Sequence, residues 1–133
     1  HTVDNIKLAK EIDKQAGKIS KIQDILVQVN IGEENTKSGI KIDDTIKLIT
    51  QIHTYKNITV KGLMCMPPYF LDPDQARIYF QQLVRIKDEI LDKKYETVSM
   101  EHLSMGMSND FKVAIEEGST MIRVGTSIFG RRD

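Results

Sequence analysis

The order of predicted helices and strands constrains the fold more than any other feature of this sequence. Apolar residues recur at helical spacing in four stretches, and short apolar runs separate them. The predicted helices cover residues 3–19, about 43–55, 73–90 and about 109–117, and the predicted strands cover 25–30, 60–66, about 97–103 and 120–124. Such alternation is typical of an α/β fold in which each helix crosses over between parallel strands.

The number of helix–strand units leaves two architectures open. Eight units close a TIM-type (β/α)8 barrel, so the four units found here are too few to close one. They could form a small open sheet, or they could be half of a barrel. The apolar pattern alone does not choose between the two.

Capping residues indicate where the helices start. We expect Asp4 and Asp43 to cap the first two helices, and Asp72, Pro73 and Gln75 have the spacing of an N-cap, a first helical residue and a capping-box partner. The stripe expected to be buried on the first helix consists of Leu8, Ile12, Ala16 and Ile19.

Charge and cysteine content argue against several classes of protein. The 133 residues include 19 basic and 19 acidic side chains, so bulk charge gives no attraction to nucleic acid or to an anionic membrane. No apolar run has the length of a membrane span, and no signal peptide opens the chain. Cys65 is the only cysteine, which favours a reducing compartment and hence a cytoplasmic location.

Two serines follow the third predicted strand, in the segment LSMGMSND at 103–110. Hydroxyls, a flexible glycine and free amides at a helix start are the parts of a phosphate cradle, so Ser104 and Ser108 are candidate phosphate ligands. The alternative, which the segment alone favours, is that Ser108 or Asn109 simply caps the next helix.

An arginine interrupts the last predicted strand. Arg123 lies between apolar residues, and Gly125 and Thr126 follow it. A glycine lets a backbone amide approach a ligand closely and a threonine adds a hydroxyl, so the three residues are candidate ligand contacts. The alternative interpretation is an arginine at a strand end that is paired with a carboxylate.

The remaining polar candidates are weaker. Asn30 could end its strand at the same edge of the sheet, whereas Lys37 is expected to be a solvated loop lysine. Cys65 lies in an apolar strand and is expected to be a buried structural thiol. The three histidines do not have metal-ligand spacing.

Taken together, these segments resemble the pyridoxal-phosphate-binding homeostasis protein family. The stretches that carry the resemblance are LSMGMSND at 103–110, GSTMIRVGTSIFGRR at 118–132, QVNI at 28–31 leading to KSG at 37–39, and KGLMCMPP at 61–68. The opening HTVD also resembles the family's segment after its fourth strand. The resemblance therefore extends over the whole chain.

The resemblance implies a fold, a cofactor and site residues. Members of the family are similar to the N-terminal domain of alanine racemase, a single (β/α)8 barrel with pyridoxal 5'-phosphate at its C-terminal mouth. It implies that Ser104, Ser108, Gly125 and Thr126 lie near the phosphate and that Arg123 faces the pyridine nitrogen. It also implies a non-catalytic cofactor carrier in vitamin B6 and amino-acid/keto-acid homeostasis.

The resemblance also implies that part of the barrel is absent. The family's Schiff-base lysine lies on the first strand, in a segment with no counterpart here. We therefore expect residues 1–133 to be the C-terminal half of one barrel domain, with about four βα units. The expected partners are pyridoxal phosphate and either the missing half of the barrel or further copies of the chain.

Two other functions compete with a carrier. The first is a pyridoxal-phosphate-dependent amino-acid racemase, which would need an acid–base residue on each face of the cofactor ring, and the sequence offers no clear tyrosine or lysine pair for that. The second is a structural or interaction piece that binds no ligand.

Overall fold

The computed structural model describes residues 1–131 as strands and helices in alternation. The strands are β1 (Thr2–Val3), β2 (Gln23–Val29), β3 (Ile58–Cys65), β4 (Val98–Met107) and β5 (Met121–Arg123). The helices are α1 (Ile6–Lys18), α2 (Ile42–Ile52), α3 (Arg77–Asp92, after a 3-10 turn at Pro73–Ala76), α4 (Phe111–Glu116) and α5 (Thr126–Phe129). The prediction of an α/β fold is confirmed.

All five strands form one parallel sheet in the order β1-β2-β3-β4-β5. Each strand pairs with the strand that follows it in the chain, as Val27 pairs with Leu63 and Leu63 with Leu103. A doubly wound sheet reverses its order at a switch point, and residues 1–131 contain no reversal. The carboxyl ends of all five strands therefore lie along one edge of the sheet.

One hydrophobic cluster joins the sheet to the helices. Val27 and Leu63 from the strands belong to it, together with Ile49 of α2 and Phe80 and Leu83 of α3, and none of these five side chains is exposed. Full burial of such a side chain is worth about 1.5–3 kcal/mol. The cluster fixes the positions of the strands and so of their carboxyl ends.

Two short elements escape the sequence-based prediction. Thr2 and Val3 form β1, a strand in addition to the four predicted ones, and pair with β2. The predicted first helix had included Val3. Helix α5 follows β5 directly. Elements of two and four residues are too short to produce a periodic pattern, which explains why both were missed.

The cap predictions are partly wrong. Asn5, not Asp4, caps α1 by accepting from the Leu8 amide at 2.8 Å, because the carboxylate of Asp4 instead accepts from Gly39. Helix α2 begins at Ile42, one residue before the predicted cap Asp43, which therefore lies in its first turn.

The third helix starts later than predicted, at Arg77, because a 3-10 turn occupies Pro73–Ala76. Asp72 is the N-cap, and Pro73 begins a 3-10 turn. Because that turn is tighter than an α-helix, the carboxylate of Asp72 accepts from the Asp74 amide rather than from Gln75.

The stripe predicted for α1 is only partly buried. Ala16 is buried, but Leu8 is 39% exposed and Ile19 is 71% exposed, whereas Ala9 is fully buried. Leu8, Ile19 and their neighbours Ile12 and Ala16 line an open groove of about 550 Å³ that continues to Thr2 and Gln23. The groove lies beside β1, the first strand of the sheet.

Candidate functional site

Strands β4 and β5 bring the predicted site residues to the carboxyl edge of the sheet. Ser104 pairs with Met121, and Met107 pairs with Arg123. The turns after the two strands carry the other candidates. Ligand sites of parallel α/β folds lie at this edge.

The hydroxyl of Ser108 is the point where the two turns meet. Its Oγ accepts hydrogen bonds from the backbone amides of Gly125 at 3.1 Å and Ser127 at 3.0 Å. A hydroxyl that accepts two bonds still has its own hydrogen to donate. The arrangement thus brings two backbone amides and one hydroxyl group together between the turns that follow β4 and β5.

The alternative that Ser108 or Asn109 caps the following helix is wrong. Helix α4 begins at Phe111, and its N-cap position belongs to Asp110. Asn109 instead donates from Nδ2 to the carbonyl of Phe70 at 2.8 Å, which ties the turn after β4 to the loop after β3.

Gly125 and Thr126 start α5 next to Ser108. Both are exposed, and a Cβ placed on Gly125 would meet no protein atom within 4 Å. The space above Gly125 is therefore open on the side from which a ligand would approach. No protein contact among the described residues requires a glycine at this position.

Ser104 lies apart from Ser108. It is 4% exposed, within β4, and its carbonyl accepts a long hydrogen bond of 3.4 Å from Arg123. No hydrogen bond links the two serines in the described part of the chain. The structure thus groups Ser108 with Gly125 and Ser127, and groups Ser104 with Arg123.

Arg123 is half-buried, and its guanidinium makes its closest hydrogen bond to backbone. Nη2 donates to the carbonyl of Cys65 at 2.7 Å, which links β5 to the end of β3. Its Nε is buried and has no hydrogen-bond partner. Burial lowers the pKa of Arg123, and the nearby ionisable groups of Cys65 and Asp110 oppose that shift.

The interpretation of Arg123 as the partner of a carboxylate is wrong within residues 1–131, since none of the ion pairs found there includes it. A buried nitrogen without a partner costs about 1–3 kcal/mol. The missing partner of the Arg123 Nε therefore carries an energetic cost in this conformation.

The candidates after β2 hold loops together. Asn30 exchanges two hydrogen bonds with the backbone of Glu34. Lys37 was expected to be solvated, but its side chain is partly buried. Its Nζ donates to the carbonyl of Pro67 at 3.2 Å and lies 3.1 Å from Oε1 of Glu34. Both residues shape the edge of the sheet next to the loop after β3.

Three polar residues near the site were missed by the sequence analysis. Ser127 supplies an amide to Ser108, and the hydroxyls of Ser119 and Thr120 bond to the backbone of β4. The signal for the last two was the pair of hydroxyl residues next to each other at the start of the predicted strand 120–124.

Cys65 is a structural thiol, as predicted. It is fully buried, and burial raises its pKa to about 12, although the charge of Arg123 acts in the opposite direction. At neutral pH it is therefore protonated and a poor nucleophile.

Among residues 1–131 there is also no cluster of side chains that could hold a metal ion.

The fold and the site define the class of protein. It is a parallel α/β protein with sequential strand order and a polar site at the carboxyl ends of its last strands. None of the helices described is long and apolar enough to cross a bilayer. The chain belongs to the alanine racemase N-terminal domain family, whose model matches residues 1–133.

Its relatives are named for a cofactor. The chain is 46% identical over 132 residues to the pyridoxal phosphate homeostasis protein of Aquifex aeolicus, covering 99% of this chain and 57% of that protein. It is 38% identical over 133 residues to the protein of the same name from Vibrio alginolyticus, covering all of this chain and 56% of that protein. The chain therefore spans little more than half the length of these relatives.

A solved structure has the same fold. PipY of Synechococcus elongatus, with pyridoxal phosphate bound, superposes with a TM-score of 0.83 at 30% identity. The match covers 96% of this chain and 58% of that one.

Proposed function

We propose that this chain belongs to a protein that binds pyridoxal phosphate and carries it without catalysing a reaction on it, in vitamin B6 and amino-acid/keto-acid homeostasis. The observation that carries the proposal is the convergence of the Gly125 and Ser127 amides on the hydroxyl of Ser108. The names of the relatives and the cofactor in PipY support the choice of ligand.

The phosphate group would bind between the two turns. Ser108 and Thr126 would donate hydroxyl hydrogens, and the open space above Gly125 leaves room for a phosphate oxygen close to the backbone. Because the Gly125 and Ser127 amides donate to the Ser108 oxygen, the hydroxyl hydrogen of Ser108 is left to point towards an anion. Of the two candidate serines, Ser108 would make the main contact, because Ser104 is buried inside β4.

Arg123 would lie at the pyridine nitrogen. Its guanidinium has no carboxylate partner among residues 1–131 and would donate a hydrogen bond to an unprotonated ring nitrogen. Pyridoxal phosphate supplies an electron sink, and that sink is weaker when the ring nitrogen carries no proton. The charge of Arg123 disfavours such a proton, so the residue suits a carrier better than a catalyst.

We also propose that residues 1–133 are the C-terminal part of one (β/α)8 barrel whose Schiff-base lysine lies outside them. The sequential strand order is the progression found around such a barrel. Both edges of the sheet are apolar: the groove at Leu8 and Ile19 lies beside β1, and the exposed Ile128 and Phe129 follow β5. The rest of the barrel would cover both edges.

The competing enzyme hypothesis is a racemase, and the family's name favours it. Racemisation needs an acid–base group on each face of the ring. We expect the whole protein to lack racemase activity with amino acids, and a measured turnover would make it an enzyme. Cys65 is the one thiol of residues 1–133 and is free, which supports our proposal that the protein works in the reducing cytoplasm.

The test of cofactor binding is an absorbance titration of the whole protein with pyridoxal phosphate. Thr126→Ala should weaken binding by about tenfold to a hundredfold and leave the shape of the spectrum unchanged, because it removes one hydrogen bond to a charged group. The control Thr54→Ala removes an exposed hydroxyl at the C-terminal end of α2 and should bind like the unmodified protein. No binding by the unmodified protein, or equal affinity for Thr126→Ala, would contradict the proposal.

A further inference from the structure

A β-bulge separates the two groups of site residues. Ser104 pairs with Met121 and Met107 pairs with Arg123, so β4 has two residues between these pairs where β5 has one. Gly106 lies in the bulge with a φ of +104°, a backbone conformation that favours glycine. Bulges bend a strand and re-aim the side chains beyond them.

The hydroxyl of Ser119 bonds to this bulge. It donates to the carbonyl of Met105 at 2.6 Å, and the carbonyl of Met121 lies 2.9 Å away. A serine hydroxyl has one hydrogen, and Met105 is its closest acceptor. Met105 has no register partner in β5, so the bond from Ser119 ties the bulged part of β4 to the segment before β5.

The bulge sets which residue of β4 lies opposite Arg123. In a regular ladder that starts from the pair of Ser104 and Met121, Gly106 would lie opposite Arg123. In the structure, Met107 lies opposite Arg123 instead. Ser108 directly follows β4, and its hydroxyl accepts from two amides of the turn after β5. The spacing between Ser108 and Arg123 therefore depends on the bulge.

We infer that Ser119 is a positioning residue of the cofactor site, which holds the β4 bulge and thereby the distance between the phosphate-binding and ring-binding ends. This inference rests on the proposed function. Ser119 acts through Met105 and touches no ligand itself. Its loss should therefore disturb both ends of the site at once, unlike the loss of a phosphate ligand alone.

The test is a titration of the whole protein with pyridoxal phosphate, followed by absorbance. Ser119→Ala should weaken binding about fivefold to tenfold, because the displaced phosphate and ring contacts would lose part of their hydrogen-bond energy. It should also shift the absorption band of the bound cofactor, because Arg123 moves relative to Ser108. Ser119→Thr keeps the hydroxyl and should restore both the affinity and the spectrum. Thr54→Ala serves again as the matched control for a lost hydroxyl.

The possible outcomes separate the two proposals. Binding by the unmodified protein together with an unchanged affinity and spectrum in Ser119→Ala would overturn this inference alone. Absence of binding by the unmodified protein would overturn the proposed function and this inference with it. If Ser119→Ala does not fold, Ser119→Cys replaces it, because a thiol has a similar volume but donates only weakly. Ser119→Cys should bind pyridoxal phosphate less tightly than the unmodified protein does. Equal binding would overturn the inference.

Discussion

At the scale of single residues, Arg123 has the least usual surroundings in the molecule. It is a half-buried cation at the end of a strand, it donates to the Cys65 carbonyl, and its Nε has no partner. Structural arginines are normally paired with a carboxylate when buried. Arg123 has no such partner among residues 1–131, which agrees with the proposal that it faces a bound cofactor.

The first prediction concerns the charge of Arg123. Arg123→Glu in the whole protein should raise the proton affinity of the ring nitrogen and change the absorption spectrum of the bound cofactor, because a carboxylate favours the protonated ring. Arg131→Glu makes the same change of charge at an exposed position and serves as the control. If Arg123→Glu altered neither spectrum nor affinity, the arginine would have a purely structural role and our placement of the ring would be wrong.

At the scale of elements, hydroxyl side chains replace part of the ladder between β4 and β5. The backbone amide of Leu103 donates to Oγ1 of Thr120 at 2.8 Å, and the amide of Thr120 donates back to the Leu103 carbonyl at 3.0 Å. Because Leu103 is buried, its amide depends on this acceptor. The Thr120 hydroxyl therefore contributes to holding the start of β5 against β4.

The second prediction tests that bond. Thr120→Val keeps the shape of the side chain but removes the acceptor, so it should lower the free energy of unfolding of the whole protein by about 1–3 kcal/mol. Urea unfolding gives the value. Thr36→Val, at an exposed loop position, should change it by less than about 0.5 kcal/mol. Equal stability of Thr120→Val and the unmodified protein would show that water replaces the lost acceptor.

The sequence predicted the long elements well and the irregular ones poorly. Helix α3 was predicted because Phe80 and Leu83 lie on one helical face and because Asp72 caps the 3-10 turn that leads into it. The end of β4 was missed because Ser104 and Gly106 break the apolar pattern that identifies a strand. Hydrophobic periodicity reports burial, and a bulge stabilised by side-chain hydroxyls leaves no periodic signal.

The candidate site was predictable for a related reason. Ser108, Arg123 and Gly125 are polar or flexible residues at strand ends, and such ends meet at one edge in a parallel sheet. Which groups pair there was not predictable, because it depends on the register of β4 and β5. Thus the amide of Ser127 was overlooked, and Ser104 was grouped with Ser108, with which it forms no hydrogen bond.

At the scale of the whole molecule, both edges of the sheet are apolar. Phe129 is 85% exposed and Ile128 is 68% exposed after β5, and Ile19 is 71% exposed in the groove beside β1. Parallel sheets normally have covered edges and faces. These surfaces agree with the proposal that further strands and helices belong beside them.

The third prediction is that residues 1–133 on their own self-associate, because open strand edges and exposed apolar side chains favour association. Sedimentation at increasing concentrations should show growing species. Phe129→Ser removes the most exposed aromatic side chain of the β5 edge and should reduce the association. A sharp monomer across the concentration range, with cooperative melting, would count against the half-barrel proposal.

The central claim is that this chain contains a phosphate cradle for pyridoxal phosphate but not the lysine that links the cofactor covalently. The most direct measurement is equilibrium binding of pyridoxal phosphate to residues 1–133, with inorganic phosphate as competitor, followed by borohydride reduction and mass analysis. We predict weak, reversible binding that phosphate displaces, with no stoichiometric adduct at any one site. A single lysine that is fully labelled, or the absence of phosphate-competed binding, would contradict this account.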